Sequence, residues 1–374
     1  MRIIHFSDTH LGYRAYQRTQ NGINQREQDM IESFRRALAS MLDYDADVVV
    51  HAGDFFDRIR PSNYTLREAL DILRAFQTIR SERPFLIVAG NHECPRSADT
   101  VSPLALLRDV PGVVIAERGI VQYDYNGYHF VLVPDHPFLP DSLRESVEPS
   151  PHARGNILVA HGALQAYAPN AVRKLPERML DTERWNYIAL GDYHIYTEIK
   201  PRCYYSGAID YCSSDIWSES HQLVKRYLVV DTEDGYTVTE HLLEPARVIC
   251  DLRLDAALFS CIDCLQGAIE RELSVVENDW IVRLVIENVP LEWRSGLITP
   301  AVQARLHEVF HCQIVPRITL PQRVDRAVET DPARVPTLED EWVDFAHSYF
   351  VDDTMRRELT QLGLDYLASA GNDT

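Results

Sequence analysis

The chain has 374 residues, 45% of them apolar and 25% charged, the composition of a globular protein long enough to bury a sizeable core and to divide into two or more domains. A formal net charge of -19 speaks against a surface coated throughout for nucleic-acid phosphates. Residues 337–374 hold nine acids against two arginines, however, so seven of those charges sit in a short tail and the body keeps room for basic patches.

No apolar run reaches about 18 residues, and the opening MRIIHFSDTH lacks the basic-then-apolar build of a signal peptide, so a cytoplasmic location is expected and a membrane is not. Residues 1–245 alternate apolar strands with amphipathic helices. RIIHFSD is followed by a helical span near 25–42, DVVVHAGD by a helix near 65–80, and then come PFLIVAGN, YHFVLVPD, NILVAHG and YIALGD. YLVVDTEDGYTVTEHLL closes the series with an Asp-Gly hairpin signal. Several of these strands stop at a cluster of Asp, Gly, Asn or His, where open α/β sheets place their chemistry. The expected fold class is α/β, with mixed sheets flanked by helices.

From about residue 248 the pattern becomes VICDLRL, a helix near 256–273, WIVRLVIENV, a helix near 299–310 and QIVPRITL, a small βαβαβ unit. PQRVDRAVETDPARVP, residues 321–336, is charged and holds three prolines, which marks a linker. Beyond it Trp342, Phe345, Ala346 and Tyr349 keep helical spacing, as do Met355, Leu359, Leu362 and Tyr366. Two such short helices have no core of their own and are expected to dock on a partner or back on this chain. The seven cysteines are scattered and odd in number, as in a chain of reduced thiols. Cys261-x-x-Cys264 lies in a helix-like stretch without a second pair or a nearby histidine, and reads as two buried helix cysteines.

Five strand ends supply metal-ligand residue types: Asp8-x-His10, Gly53-Asp54, Gly90-Asn91-His92-Glu93, His161-Gly162 and Gly191-Asp192-x-His194. Any one of them alone is an ordinary turn. Together they point to a pair of divalent first-row ions held by carboxylates, an amide oxygen and imidazoles, manganese first, with zinc or iron open. His5 and His51, inside strand sequence, read as core histidines; His129 and His136 have no evident partner.

In that order, DTHLG, GDFFD, GNHE, AHG and GDYH resemble the calcineurin-like metallophosphoesterases. The longer stretches HFSDTHLGYR, HAGDFFDRIRPS and IVAGNHE resemble the SbcD-type, or meiotic-recombination-eleven, nuclease subunits of DNA double-strand-break repair. The resemblance implies a sandwich of mixed sheets over 1–245, a DNA-facing cap over 246–320, the linker at 321–336, and a helical segment at 337–374 that binds a coiled-coil ATPase subunit. Homodimerisation is implied as well.

Carried over residue by residue, the resemblance gives Asp8, His10 and His194 to one metal and Asn91, His161 and Asp192 to the other, with Asp54 between them. His92 then matches the acid that helps expel the leaving alkoxide, or else a residue orienting a ligand. Arg14, Arg18, Arg58 and Arg60 stand in loops that could meet DNA phosphates, or could simply be solvated.

Two departures are visible: Gly191-Asp192-Tyr193-His194 stands where Gly-His-x-His is usual, and YSGAID at 205–210 lacks the Gly-Ser continuation of relatives. The function expected is a manganese-dependent DNA exonuclease and endonuclease coupled to an ATPase. The alternatives are a phosphoesterase for small substrates and a binding scaffold with a degenerate metal site.

Overall fold

In a computed structural model the chain is described over residues 1–319 and 337–370, apart from 96, 98, 99, 165, 167–173, 214, 221–223 and 350–352. The linker expected at 321–336 lies outside the described residues. Two six-stranded sheets dominate. The first runs Thr237–Leu243, Lys225–Asp231, Arg2–Phe6, Val48–His51, Phe85–Val88, Val113–Ala116; the second runs Thr197–Lys200, Cys203–Tyr205, Tyr187–Gly191, Gly155–His161, Tyr128–Val133, Val121–Tyr125. In both, the central strands are parallel and antiparallel pairings lie towards the edges. The hairpin read from Asp-Gly joins Lys225–Asp231 to Thr237–Leu243.

Period-two alternation explains the layering. Ile3, Val48, Val50, Leu86 and Val88 point from the first sheet into a core shared with Phe130, Ile157, Val159, Tyr187 and Ala189 of the second. Their neighbours Ile4, Phe6, Val49, Phe85 and Ile87 point the other way, onto Met30, Phe34, Leu38, Leu73 and Phe76 of the helices Gln25–Met41 and Asn63–Ile79. Strands buried on both faces therefore read as continuous apolar runs rather than alternating ones. Each helix begins at a side-chain cap: Asn24 accepts from the Arg26 amide, and Ser62 from the Thr65 amide at 3.1 Å. On its far face the second sheet packs Val131, Leu158, Ile188 and Leu190 against Trp185, Met179 and Leu139.

The βαβαβ unit forms as expected, with parallel strands Ile249–Asp255, Ile281–Pro290 and His311–Thr319 and helices Ile262–Ser274 and Pro300–Glu308. It is seated on the first part of the chain by specific contacts. Arg18 donates to the carbonyls of His307, Val309 and Phe310 at 2.6–3.1 Å, and Tyr16 stacks on His311 at 3.9 Å. Arg247 grips both oxygens of Asp29 at 2.6 and 3.1 Å and lies over the Phe310 ring.

In the tail, Leu338–Tyr349 and Asp353–Ala370 pack on each other: Trp342 donates to the Thr360 carbonyl at 3.0 Å, and its ring fills the space where a Gly363 side chain would be. Ala346 is buried while Phe345, Tyr349, Met355, Leu362 and Tyr366 are exposed.

The cysteine pair departs from expectation. Cys261 is the N-cap of Ile262–Ser274 and half-buried, and Cys264 is exposed, because the helix starts one residue after Cys261 and its first turn stands clear of the core.

Candidate metal centre

Because Arg2–Phe6, Val48–His51 and Phe85–Val88 run parallel, as do Gly155–His161 and Tyr187–Gly191, the segments that follow them leave from the same ends of their sheets. Two cross-sheet bonds close the ends together: His161 Nδ1–H donates to the Ala52 carbonyl at 2.9 Å, and the Asp192 amide donates to Asp8 Oδ1 at 3.0 Å. Asp8, His10, Asp54 and Asp192 all adopt positive φ, between 42° and 107°. Left-handed backbone at a non-glycine residue costs on the order of 1–3 kcal/mol and persists where the surroundings over-determine it, commonly at functional sites. Close approach also explains Gly90, where a Cβ would sit 2.0 Å from Asp54 Oδ1.

Asp54 is central. Its Oδ2 lies 3.4 Å from His161 Nε2, 3.6 Å from His10 Nε2 and 4.0 Å from His92 Nε2. Asp8 and Asp54 are buried, and with His161 they bring three potential ligand atoms within 4.8 Å of one another. The Nε2 atoms of His10 and His194 face each other at 3.0 Å. With its Nδ1 proton committed to Ala52, His161 turns Nε2 towards Asp54 and towards Asp192 Oδ1 at 3.6 Å, and that buried nitrogen has no hydrogen-bond partner.

Burial would raise the Asp54 carboxyl, but the surrounding His161, His10 and His92 hold it well below the usual carboxylate range. Burial would lower His161, and Asp54 and Asp192 instead push it well above the usual imidazole range. Buried carboxylates facing imidazole nitrogens, one of them unpartnered, form a donor set that suits divalent first-row cations.

Not every expected residue converges equally. Asn91 and His92 are exposed and line a cavity of about 410 Å³ together with Asp57, Arg58, Ile59 and Thr100. His92 donates its Nδ1–H to the Asp57 carbonyl at 2.7 Å, which leaves Nε2 as the nitrogen able to exchange a proton. Asp192 is half-buried beside His161.

Of the arginines, Arg58 pairs with Asp57 at the cavity and Arg60 is exposed. Arg14 pairs with buried Glu27, whereas Arg18 is engaged by the carbonyls of the βαβαβ unit. His5 and His51 are core histidines, bonded to Tyr187 and Leu190 and to Thr9 respectively. His129, without a partner in the sequence reading, pairs with Asp124 at 2.7 Å, and His136 is buried with Nδ1 accepting the Phe138 amide.

Three supporting carboxylates are given no role by the sequence alone. Glu219, in the short helix Ile216–Glu219, accepts from His194 Nδ1 at 3.1 Å and from Lys225 at 2.6 Å. Burial opposes its ionisation, yet those two partners pull its carboxyl down to about 2. Asp57 Oδ1 lies 3.4 Å from His10 Nδ1. Glu93, buried, accepts the Gly90 and Phe55 amides at 3.0 and 3.1 Å, and its carboxyl is pushed up to about 8 by burial and by Asp54. Glu93 was at least visible within GNHE, and Asp57 within GDFFD.

A family model described as calcineurin-like phosphoesterase matches residues 1–206. Among curated proteins, the DNA double-strand break repair protein Mre11 of Methanocaldococcus jannaschii is 30% identical over 62% of this chain and 62% of its own length. That of Methanosarcina acetivorans is 30% identical over 54% of this chain and 31% of its own, and that of Methanococcus maripaludis 27% identical over 88% and 85%. The chain thus covers less than two thirds of the first two relatives. All five strand-end clusters fall inside the stretch that the family model matches, and this chain belongs to the calcineurin-like phosphoesterase family.

Proposed function

We propose that the protein is a manganese-dependent DNA phosphodiesterase, acting as exonuclease and endonuclease within an ATPase-coupled double-strand-break repair complex. The observation that carries this reading is the convergence of Asp8, His10, Asp54, His161, Asp192 and His194 on one buried locus beside an open cavity. The relatives are DNA double-strand break repair proteins, which supports the choice of DNA as substrate. Asp8, His10 and His194 would hold one ion, and Asn91, His161 and Asp192 the other, with Asp54 shared. Divalent ions bound there would polarise a phosphoryl oxygen and lower the pKa of water. Four of these ligands offer oxygen, which favours manganese over softer-site metals.

The chain's own residues supply the rest. With Nδ1–H fixed on the Asp57 carbonyl, His92 presents Nε2 to the cavity, where it can give a proton to a departing alkoxide. Glu219 fixes the tautomer and the ring plane of His194, leaving its Nε2 directed at the site. Arg58, held by Asp57 at the cavity wall, would meet substrate phosphates there, and exposed Arg60 two residues on would meet them as well. Arg14 keeps an exposed guanidinium beyond its Glu27 bond and would add a further phosphate contact.

Residues 1–245 would then form the nuclease domain and 246–320 a cap that orients the duplex. The tail, 337–374, would bind the ATPase coiled coil through its exposed Phe345, Tyr349, Met355, Leu362 and Tyr366. A homodimer fits the same scheme. Purified protein should cleave linear duplex DNA with manganese and not after chelation, and should prefer it to a small chromogenic phosphodiester. Preference for the small diester would make it a small-substrate phosphoesterase, and no turnover of either would leave a binding scaffold.

A further inference from the structure

One motif plays no part in the phosphoesterase reading. Cys261 and Cys264 stand at the open end of Ile262–Ser274, as N-cap and third helical residue, with their sulfurs 2.8 Å apart. The Cys264 amide also points at the Cys261 sulfur, 3.4 Å away. Residues one helical turn apart at an N-terminus lie within the span that a disulfide bridges.

Metal binding is the rival use of such a pair. Among the described residues, however, every group of three or more ligand side chains lies at the strand-end site, and none includes Cys261 or Cys264. Two sulfurs without further ligands do not complete a zinc site.

We infer that Cys261 and Cys264 form a reversible dithiol–disulfide site that reacts with low-molecular-weight disulfides. Cys261 is the attacking group. Its thiol is held below the ordinary range by hydrogen bonds from the Cys264 side chain and then the Cys264 amide. Burial instead pushes up the thiols of Cys94, Cys203, Cys212, Cys250 and Cys312. The thiolate is the nucleophile in such exchange, and exposure decides access.

Cys261 Sγ, as thiolate, attacks one sulfur of the small disulfide, forming a mixed disulfide and expelling one small thiolate. Cys264 then loses its proton to solvent and attacks Cys261 Sγ, forming the intrachain bond and expelling the second small thiolate. Two cysteine thiols are oxidised and one external disulfide is reduced. The bond so formed ties one turn of a single helix to itself, leaving helix and sheet free of any new restraint. Thiol chemistry is therefore the readout rather than stability.

The test uses the full chain and oxidised glutathione, followed by alkylation and mass spectrometry of the tryptic segment 254–271, which holds both cysteines and no other. The parent should yield that segment lighter by two hydrogens, and reduced glutathione should reverse it. Cys264→Ser should instead accumulate glutathione on Cys261, while Cys261→Ser should react at least about tenfold more slowly. Equal rates for the two single variants, no intrachain bond in the parent, or a zinc ion that the parent retains and the double serine variant does not, would each overturn the inference.

Discussion

The strand-end site and the C-terminal helical pair are built on opposite principles. At the site, charged groups are buried, bonded to one another and held on strained backbone: Asp8, Asp54 and His161 are fully or almost fully buried, and the Asp8, His10 and Asp54 backbones are left-handed. In the tail, large apolar groups are left in water, Tyr366 at 70% exposure and Met355 at 56%. Burying charge is costly unless partners or metals compensate, and exposing apolar surface is costly unless something covers it. On the proposed reading the two departures from the ordinary rule serve two functions, one chemical and one associative. On the proposed reading, damage to the first removes cleavage with assembly intact, and damage to the second does the reverse.

His92→Gln breaks the chemical half hardest: cleavage should fall about 10²–10⁴-fold with two metals still bound, because on the proposed reading His92 gives a proton from the cavity and holds neither ion. Metal analysis beside the rate decides it, since loss of both ions together would make His92 a ligand.

Glu219→Gln comes next. An amide at 219 still can accept from His194 but no longer carries the charge that Lys225 and His194 share, and metal affinity should drop about 10–100-fold. Titration of manganese against the apo protein measures this, and an unchanged affinity would detach Glu219 from the site.

Asp192→His is gentler. Replacing an oxygen donor by imidazole should move preference towards zinc. It also removes a negative charge near the reacting water, so that water's pKa falls and the rising limb of the pH–rate profile shifts to lower pH. A variant matching the parent in both respects would leave Asp192 outside the ligand set.

Removing residues 337–374 should have the smallest effect on cleavage, leaving it at the parent level while abolishing co-purification with the coiled-coil ATPase. Survival of binding would move the docking surface elsewhere.

Much of the centre was legible because each cluster is short and sits where an apolar run ends: Asp8-x-His10 and Gly90-Asn91-His92 announce themselves locally. Glu219 did not, since it reaches His194 across 25 residues and through a four-residue helix that no periodicity marks. The bonding of Arg18 was hidden for the same reason, its carbonyl partners lying about 290 residues away in the βαβαβ unit. In the fold, strands and helices could be read from runs and spacing, but the separation into two facing sheets could not. Neither the burial of Ile3 and Ile4 on opposite faces nor their different cores leaves a trace in a continuous apolar run. The half-buried and exposed positions of Cys261 and Cys264 do not show in the sequence, because helical spacing alone does not say where the first turn begins.

The central claim is that strand ends from two sheets build one centre for two ions around Asp54. Manganese stoichiometry, measured by calorimetric titration of the metal-free chain and of Asp54→Ala, tests it most directly. Two ions per parent chain and fewer in the variant are predicted, whereas a parent that binds none, or a variant that binds as the parent does, would contradict it.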